Sequence, residues 1–440
     1  MPLRFGPAAR LAAILAAASV LSACGGSGSV PSSNPQSLGA SAQAAGGLAA
    51  TASIETTGTA SWPQPFMNGA HTGFNTLETT LNRTNVKTLT QLWSFPTGAQ
   101  ITDPVLVQNG VAYVNSGDGY LYALNATTGA QIWKYETYES TSTQNAPVIS
   151  NGRIVVPCLV AGNSQKNAMC GINISTGMRQ WAYYDDCNCL PPAGVSAGAV
   201  ASGSTVVFDY ADGSTGSSYV AAVNAATGAR IWASAALPHG PDFYSAAIGG
   251  GQVYYNTGSG LCAASLTSGT TAWCATVGSE PAMAYSGGVL YVNTSNNGVY
   301  AFNASTGTQI WQYTPTAGNY SGNNDPPAVA NGVVYVSGVG FNGNLYAINA
   351  SNGSLIYNTS ADGSAAYTTS SPTVAHNVVY VECGSFVCAF NSATGALLYS
   401  PGSSGTQQVS PAVVNGVVYS ACGPNSACAY GLPGAAKRHI

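Results

Sequence analysis

Ten cysteines follow Cys24 in this 440-residue chain, and they fall in close pairs: Cys158 and Cys170, Cys187 and Cys189, Cys262 and Cys274, Cys383 and Cys388, Cys422 and Cys428. An even number at such spacing in an exported chain predicts local disulfides. Zinc suits them poorly, because Cys187-Asn188-Cys189 has no second pair nearby and the chain holds four histidines in all. Those histidines (71, 239, 376, 439) are scattered, and G-x-S-x-G, H-E-x-x-H and P-loop patterns are absent from the sequence. The close carboxylates are Asp185 with Asp186 and Asp209 with Asp212, and calcium at either would need oxygens from elsewhere in the fold. No catalytic residue and no metal ligand is assigned.

The elements that could position these groups begin with an export signal. Arg4 and Arg10 precede an apolar run, Leu11 to Val20, and Leu21-Ser22-Ala23-Cys24 closes it. The run is too short to span a bilayer and reads as a signal peptide, residues 1–23. Its ending resembles the bacterial lipobox, which implies that Cys24 is lipidated and becomes the mature N-terminus; Gly25 after it implies transfer to the outer membrane. Residues 24–60 then read as a lipidated cysteine and a Gly/Ser/Ala-rich tether. A flexible stretch of that length averages about 30–35 Å end to end. The formal net charge of −4 becomes −6 once Arg4 and Arg10 leave, so nucleic acid is not an expected partner.

Only 6% of residues are charged, while Gly (53) and Tyr (25) are abundant, which favours short strands and tight turns. One pattern recurs: ALNATTGAQIW (123–133), GINISTGMRQW (171–181), AVNAATGARIW (222–232), AASLTSGTTAW (263–273), AFNASTGTQIW (301–311), AINASNGSLIY (347–357) and AFNSATGALLY (389–399). The glycines lie 38 to 51 residues apart, the period of a four-stranded blade. Asn closes a turn, Gly accepts positive φ, and the aromatic (Trp133, Trp181, Trp232, Trp273, Trp311, Tyr357, Tyr399) packs between blades. Two strand signals precede each copy, such as DPVLV (103–107) and GVAYV (110–114). The last unit stops after its third strand, ACAYGL (427–432), and LTQLWSF (89–95) supplies the missing outer strand, with Trp93 in the docking role. The expectation is an all-β, eight-bladed propeller of four-stranded antiparallel blades over 61–434, closed by an N-terminal outer strand, with a short tail at 435–440.

The motif A-x-[DN]-x-x-T-G-x-x-x-W resembles the docking motif of the quinoprotein alcohol dehydrogenase (PQQ-like repeat) superfamily, over about residues 60–432. The opening SWPQPFMNGAHTGFN…LNRTNVKTLTQLW (61–93) is also similar to the lead-in of those enzymes. The resemblance implies PQQ on an aromatic floor under a vicinal disulfide lid, a calcium ion and a catalytic Asp. The residues depart from that set. Cys187-Asn188-Cys189 follows an early docking motif but carries a spacer, Pro238-His239-Gly240-Pro241-Asp242-Phe243 matches the family loop in composition and not in order, and no tryptophan is spare for a floor.

In layout the chain also resembles the propeller lipoproteins of outer-membrane barrel assembly. Two readings therefore stand. The favoured one is a non-catalytic lipoprotein, anchored to the outer membrane and facing the periplasm or the cell surface, that binds an envelope protein, peptide or glycan without a cofactor. The alternative is a PQQ- and calcium-dependent alcohol or sugar dehydrogenase with an altered site.

Overall fold

Short strands with two apolar faces have to be covered on both sides, and a ring of blades covers each with its neighbours. The computed structural model describes residues 61–101, 103–137, 146–160, 166–183, 198–212, 217–234, 246–257, 260–278, 281–294, 298–315, 325–337, 344–360, 370–384, 386–401 and 409–434. The signal segment, tether and tail lie outside these.

Eight sheets follow along the chain. Blades one to seven occupy 106–136, 148–183, 199–233, 247–276, 282–313, 328–360 and 373–399. Blade eight takes three strands from 412–431 and its fourth from Thr90–Pro96, which pairs antiparallel with Ser426–Gly431. Trp93 stands opposite Ala429 there as Trp133 stands opposite Ala123 in blade one, so the N-terminal strand closes the ring as the repeat count requires.

The two ends of the ring are built differently. At one end, called here the turn end, two residues join first to second strands. Asn109-Gly110, Asn151-Gly152, Asn331-Gly332 and Asn415-Gly416 all take positive φ, the turn that matches strand twist. Third and fourth strands are joined at the same end by five residues in each of the first seven blades. The opposite loop end carries connections of 5 to 15 residues from a fourth strand to the next first strand.

The repeated motif is the lock between blades. Asn125 Oδ1 accepts the Thr127 and Thr128 N–H groups at 3.0 Å, and Gly129 follows at φ 72°. A Cβ on Gly129 would come within 2.8 Å of the Trp93 indole, which lies flat on that glycine from the preceding blade. Trp93 Nε1 then donates to Ala126 O at 2.9 Å. The same pairing recurs as Trp133 on Gly177, Trp181 on Gly228, Trp232 on Gly269, Trp273 on Gly307, Trp311 on Gly353 and Tyr357 on Gly395. Burying one indole contributes roughly 4–6 kcal/mol before ordering costs.

A second donor reaches the same carbonyl in five of these seven interfaces. Tyr419 Oη donates to Ala126 O at 3.3 Å, and Tyr113, Tyr254, Tyr291 and Tyr335 do likewise to Ile174, Ala304, Ala350 and Ser392. In all eight blades the residue before the docking aromatic is a bulge, which turns the aromatic onto its neighbour and spoils the outer strand as an edge for further pairing.

The eighth interface departs from the sequence expectation. Blade eight has no docking turn, because its fourth strand comes from elsewhere in the chain. Tyr399 therefore packs with Leu81, Val86 and Leu89 of the segment before Thr90. The hydroxyl of Tyr380, in the position of the five donating tyrosines, is buried without a partner.

Disulfides join Cys158 to Cys170, Cys262 to Cys274, Cys383 to Cys388 and Cys422 to Cys428. Three of them link second and third strands at the loop end of blades two, seven and eight. Cys262 and Cys274 sit directly opposite each other on the third and fourth strands of blade four. Cys187 and Cys189 lie outside the described residues.

Candidate functional site

The innermost strand of every blade presents backbone N–H and C=O groups to the axis, and these need partners. Residues 62–75 supply them. Trp62 exchanges hydrogen bonds with Val107 in blade one, at 2.7 and 2.9 Å, and Ile149 N donates to Pro63 O in blade two at 2.7 Å. The Gln64 side chain mimics a peptide group against blade three, with Nε2 donating to Ala201 O at 3.0 Å and Oε1 accepting from Ala201 N at 2.8 Å. Ile248, Tyr285, Val329 and Val374 donate to the carbonyls of Gly69, Ala70, Thr72 and Gly73. Asn75 Nδ2 reaches Val413 O of blade eight at 2.7 Å.

The eight bonded positions are equivalent, each one residue past the first-strand residue that faces the second-strand tyrosine position. Positive φ at Phe66, Met67, His71 and Gly73 bends the segment round the axis. A Cβ on Gly69 would collide with the Ala201 carbonyl, so this approach needs glycine. Trp62, Phe66 and His71 are buried. Phe66 meets His71 edge to face at 4.9 Å, neither ring nitrogen of His71 has a partner, and burial pulls its pKa down to about 3. The imidazole is thus neutral throughout the physiological range.

Above this axial segment, toward the loop end, the second strands finish on buried polar residues at one register: Asn115, Asp209, Asn256, Asn293, Ser337 and Glu382. Asn293, Ser337 and Glu382 reach the next blade, and Asn115 bonds to the lead-in of its own. Asn115 Nδ2 donates to Asp103 Oδ2 at 2.8 Å, Asn293 Nδ2 to Asp325 O at 3.1 Å, and Ser337 Oγ to Ser370 O at 2.6 Å. Glu382 spans blades seven and eight, accepting from Ser420 Oγ at 2.6 Å and Val409 N at 3.2 Å.

Burial lifts the pKa of Asp103 and Asp325 to about 7 and that of Glu382 to about 8; hydrogen bonds from Asn115, and from Ser420 and Val409, only partly offset this. No basic side chain enters these balances. Oxygens of Asp103, Asn115, Asn293 and Asp325 remain without a partner.

The described residues of this register do not fit PQQ and calcium. Among the described residues no three His, Cys, Asp or Glu side chains come together to hold a metal. Among the described residues of this register the carboxylates of a quinone cofactor would find carboxyl groups and no cation. Six tryptophans are held in docking positions or on the closing strand, and Trp62 is sealed in the axial segment. Asp185, Asp186 and the stretch from Pro238 to Phe243 lie outside the described residues, as does the side chain of Asp212.

Sequence reasoning took 61–75 as a lead-in to the first outer strand, and the structure makes it the axial element. It also passed over the loop-end polar register, although a polar residue at that position in six of the eight second strands was visible, as in GVAYVN and VVYVE.

A family model described as outer membrane protein assembly factor BamB matches residues 50–215, 216–325 and 316–434. A relative of that name from Yersinia pestis is 25% identical over 313 residues, 69% of this chain and 74% of the other. Among solved structures, a quinohemoprotein alcohol dehydrogenase from Pseudomonas putida HK5 superposes with a TM-score of 0.69 at 15% identity, covering 85% of this chain and 80% of that one. BamB from Moraxella catarrhalis superposes at 0.58 with 15% identity, over 78% of this chain and all of the other. At these identities the superpositions establish the fold alone.

Proposed function

The chain belongs to the family described as outer membrane protein assembly factor BamB, and from that premise we propose that it is a non-catalytic binding or scaffold propeller of the cell envelope. It is anchored through lipid on Cys24 at the outer membrane, with 1–23 removed, 24–60 as tether and 61–434 as the working body. Its partner is an envelope protein, peptide or glycan, bound at the loop end.

One observation carries this reading. The buried polar residues at the loop end bond to blade entries and to the next blade, as Asn115 to Asp103, Asn293 to Asp325, Ser337 to Ser370 and Glu382 to Ser420, with no cation among the described residues of that register and the axis below filled by residues 62–75. What varies from blade to blade is the loop-end connections, the usual seat of recognition on a rigid scaffold. Titration calorimetry of calcium-loaded protein with pyrroloquinoline quinone, followed by a dye-linked alcohol oxidation assay, tests it: no heat of binding and no turnover are expected, and saturable binding with turnover would restore the dehydrogenase reading. Labelled fatty acid should appear on the wild type and vanish in Cys24→Ala.

A further inference from the structure

Charge and apolar exposure are unevenly shared between the two ends. Arg83, Lys87, Arg179 and Arg230 are exposed and Arg153 half-buried, all at the turn end or in the segment packed beneath it. Against these five stands Glu78, buried there with its oxygens occupied by the N–H groups of Thr80, Leu81 and Gly416. On the loop-end half the described charges that reach the surface are Glu136, Asp118 and Lys134, the last lying over the Tyr120 ring, while Asp103, Asp209, Asp325 and Glu382 are buried.

The large apolar side chains exposed on the described surface gather at the basic end as well. Ile132, Ile231, Ile310 and Ile356 sit at the bulges where the outer strands start, 44 to 51% exposed. Met178 is 65% exposed beside Arg179, and Leu77 is 58% exposed beside the Arg83 segment.

Scattered aliphatics need no explanation, and neither do five basic residues. Their coincidence on one end of a rigid disc has the chemistry of a surface for anionic lipid: cations for headgroup charge and short aliphatics for the interfacial layer. We propose that the turn end rests on an anionic membrane surface, which points the loop end away from the bilayer toward its partners. This deepens the scaffold reading and rests on it.

The test uses the mature chain carrying Cys24→Ala, so that no lipid contributes. It is floated with vesicles of equal phosphatidylglycerol and phosphatidylcholine, or of phosphatidylcholine alone. The protein should float with the anionic vesicles at low ionic strength, be released by salt, and ignore the neutral ones. Arg83→Glu, Lys87→Glu and Arg179→Glu together should weaken binding about a hundred-fold, at roughly five-fold per basic residue removed. Met178→Ser with Ile310→Ser should weaken it further, while the loop-end change Glu136→Lys should not weaken it. Equal binding to neutral vesicles, no binding to anionic ones, or indifference to the triple variant would overturn the proposal. Absence of fatty-acid label on Cys24 would instead count against the anchor and leave this result standing.

Discussion

The turn end and the loop end are made from the same eight blades, yet one is repetitive and the other irregular. Every first-to-second connection at the turn end has two residues and seven third-to-fourth connections have five, whereas the blade-to-blade connections at the loop end run from 5 to 15. The constant end carries the docking aromatics, whose partners are backbone carbonyls at fixed offsets, so a single inserted residue would move a glycine off its indole. Toward the loop end the described contacts between blades are individual: aromatic pairs such as Phe95 with Tyr122, Tyr183 with Phe208 and Tyr313 with Tyr346 stand beside polar ones such as Ser337 with Ser370 and Glu382 with Ser420. Regularity therefore marks where the ring is held together, and irregularity marks where it is free to recognise something.

That contrast breaks most severely if the element crossing both regimes is removed. Deleting 61–97 strips the outer strand of blade eight and the axial partners of all eight first strands. Aggregated protein with no cooperative melt is expected by scattering and calorimetry, whereas deleting 25–55 should leave the melting temperature unchanged. A monomer of undiminished melting temperature after the first deletion would dissolve the closure argument.

At the turn end, Trp311→Ala should cost about 3–5 kcal/mol by denaturant unfolding, through lost burial and the lost bond to Ala350 O. Tyr399→Ala, where no docking turn receives the ring, should cost less than half of that. Equal costs would mean that the turn adds nothing beyond apolar cover.

The loop end should announce itself through pH. Asp103, Asp325 and Glu382 hold their protons more tightly folded (about 7, 7 and 8) than their ordinary values near 4 would allow. The folded state thus binds more protons between about pH 4 and 8. Stability from these groups is complete below that window and is lost as pH rises through it. The melting temperature should fall from mildly acid to mildly alkaline solution, and Glu382→Gln should flatten part of that slope, a difference of up to a few kcal/mol at pH 8. A slope unchanged by the substitution would remove Glu382 from the account.

Smallest is the contrast between two tyrosines of one register. Tyr291→Phe gives up a bond to Ala350 O, at about 1 kcal/mol, while Tyr380→Phe removes a hydroxyl that has no partner and should be neutral or slightly stabilising. Chemical denaturation of the pair decides it, and a larger loss at Tyr380 would point to a partner on that hydroxyl in solution.

The sequence by itself determined the blade number, the closing strand and the docking register, because a turn that needs Asn, Gly and an aromatic at fixed spacing is written in local residue types and repeated often enough to be counted. Those three features depend on contacts between adjacent repeats, and adjacency in a ring follows chain order. Tertiary structure alone decided the rest. That Gln64 meets Ala201 and Asn75 meets Val413 depends on one segment passing all eight blades, contacts up to 338 residues apart with no local signature. That Tyr380 lacks a partner follows from blade eight having borrowed its last strand, which removes the turn whose carbonyl would have received that hydroxyl. The collection of Arg83, Arg179, Met178 and Ile310 on one end is likewise invisible in a chain with 6% charged residues, because strand direction, and not sequence distance, puts them on the same side.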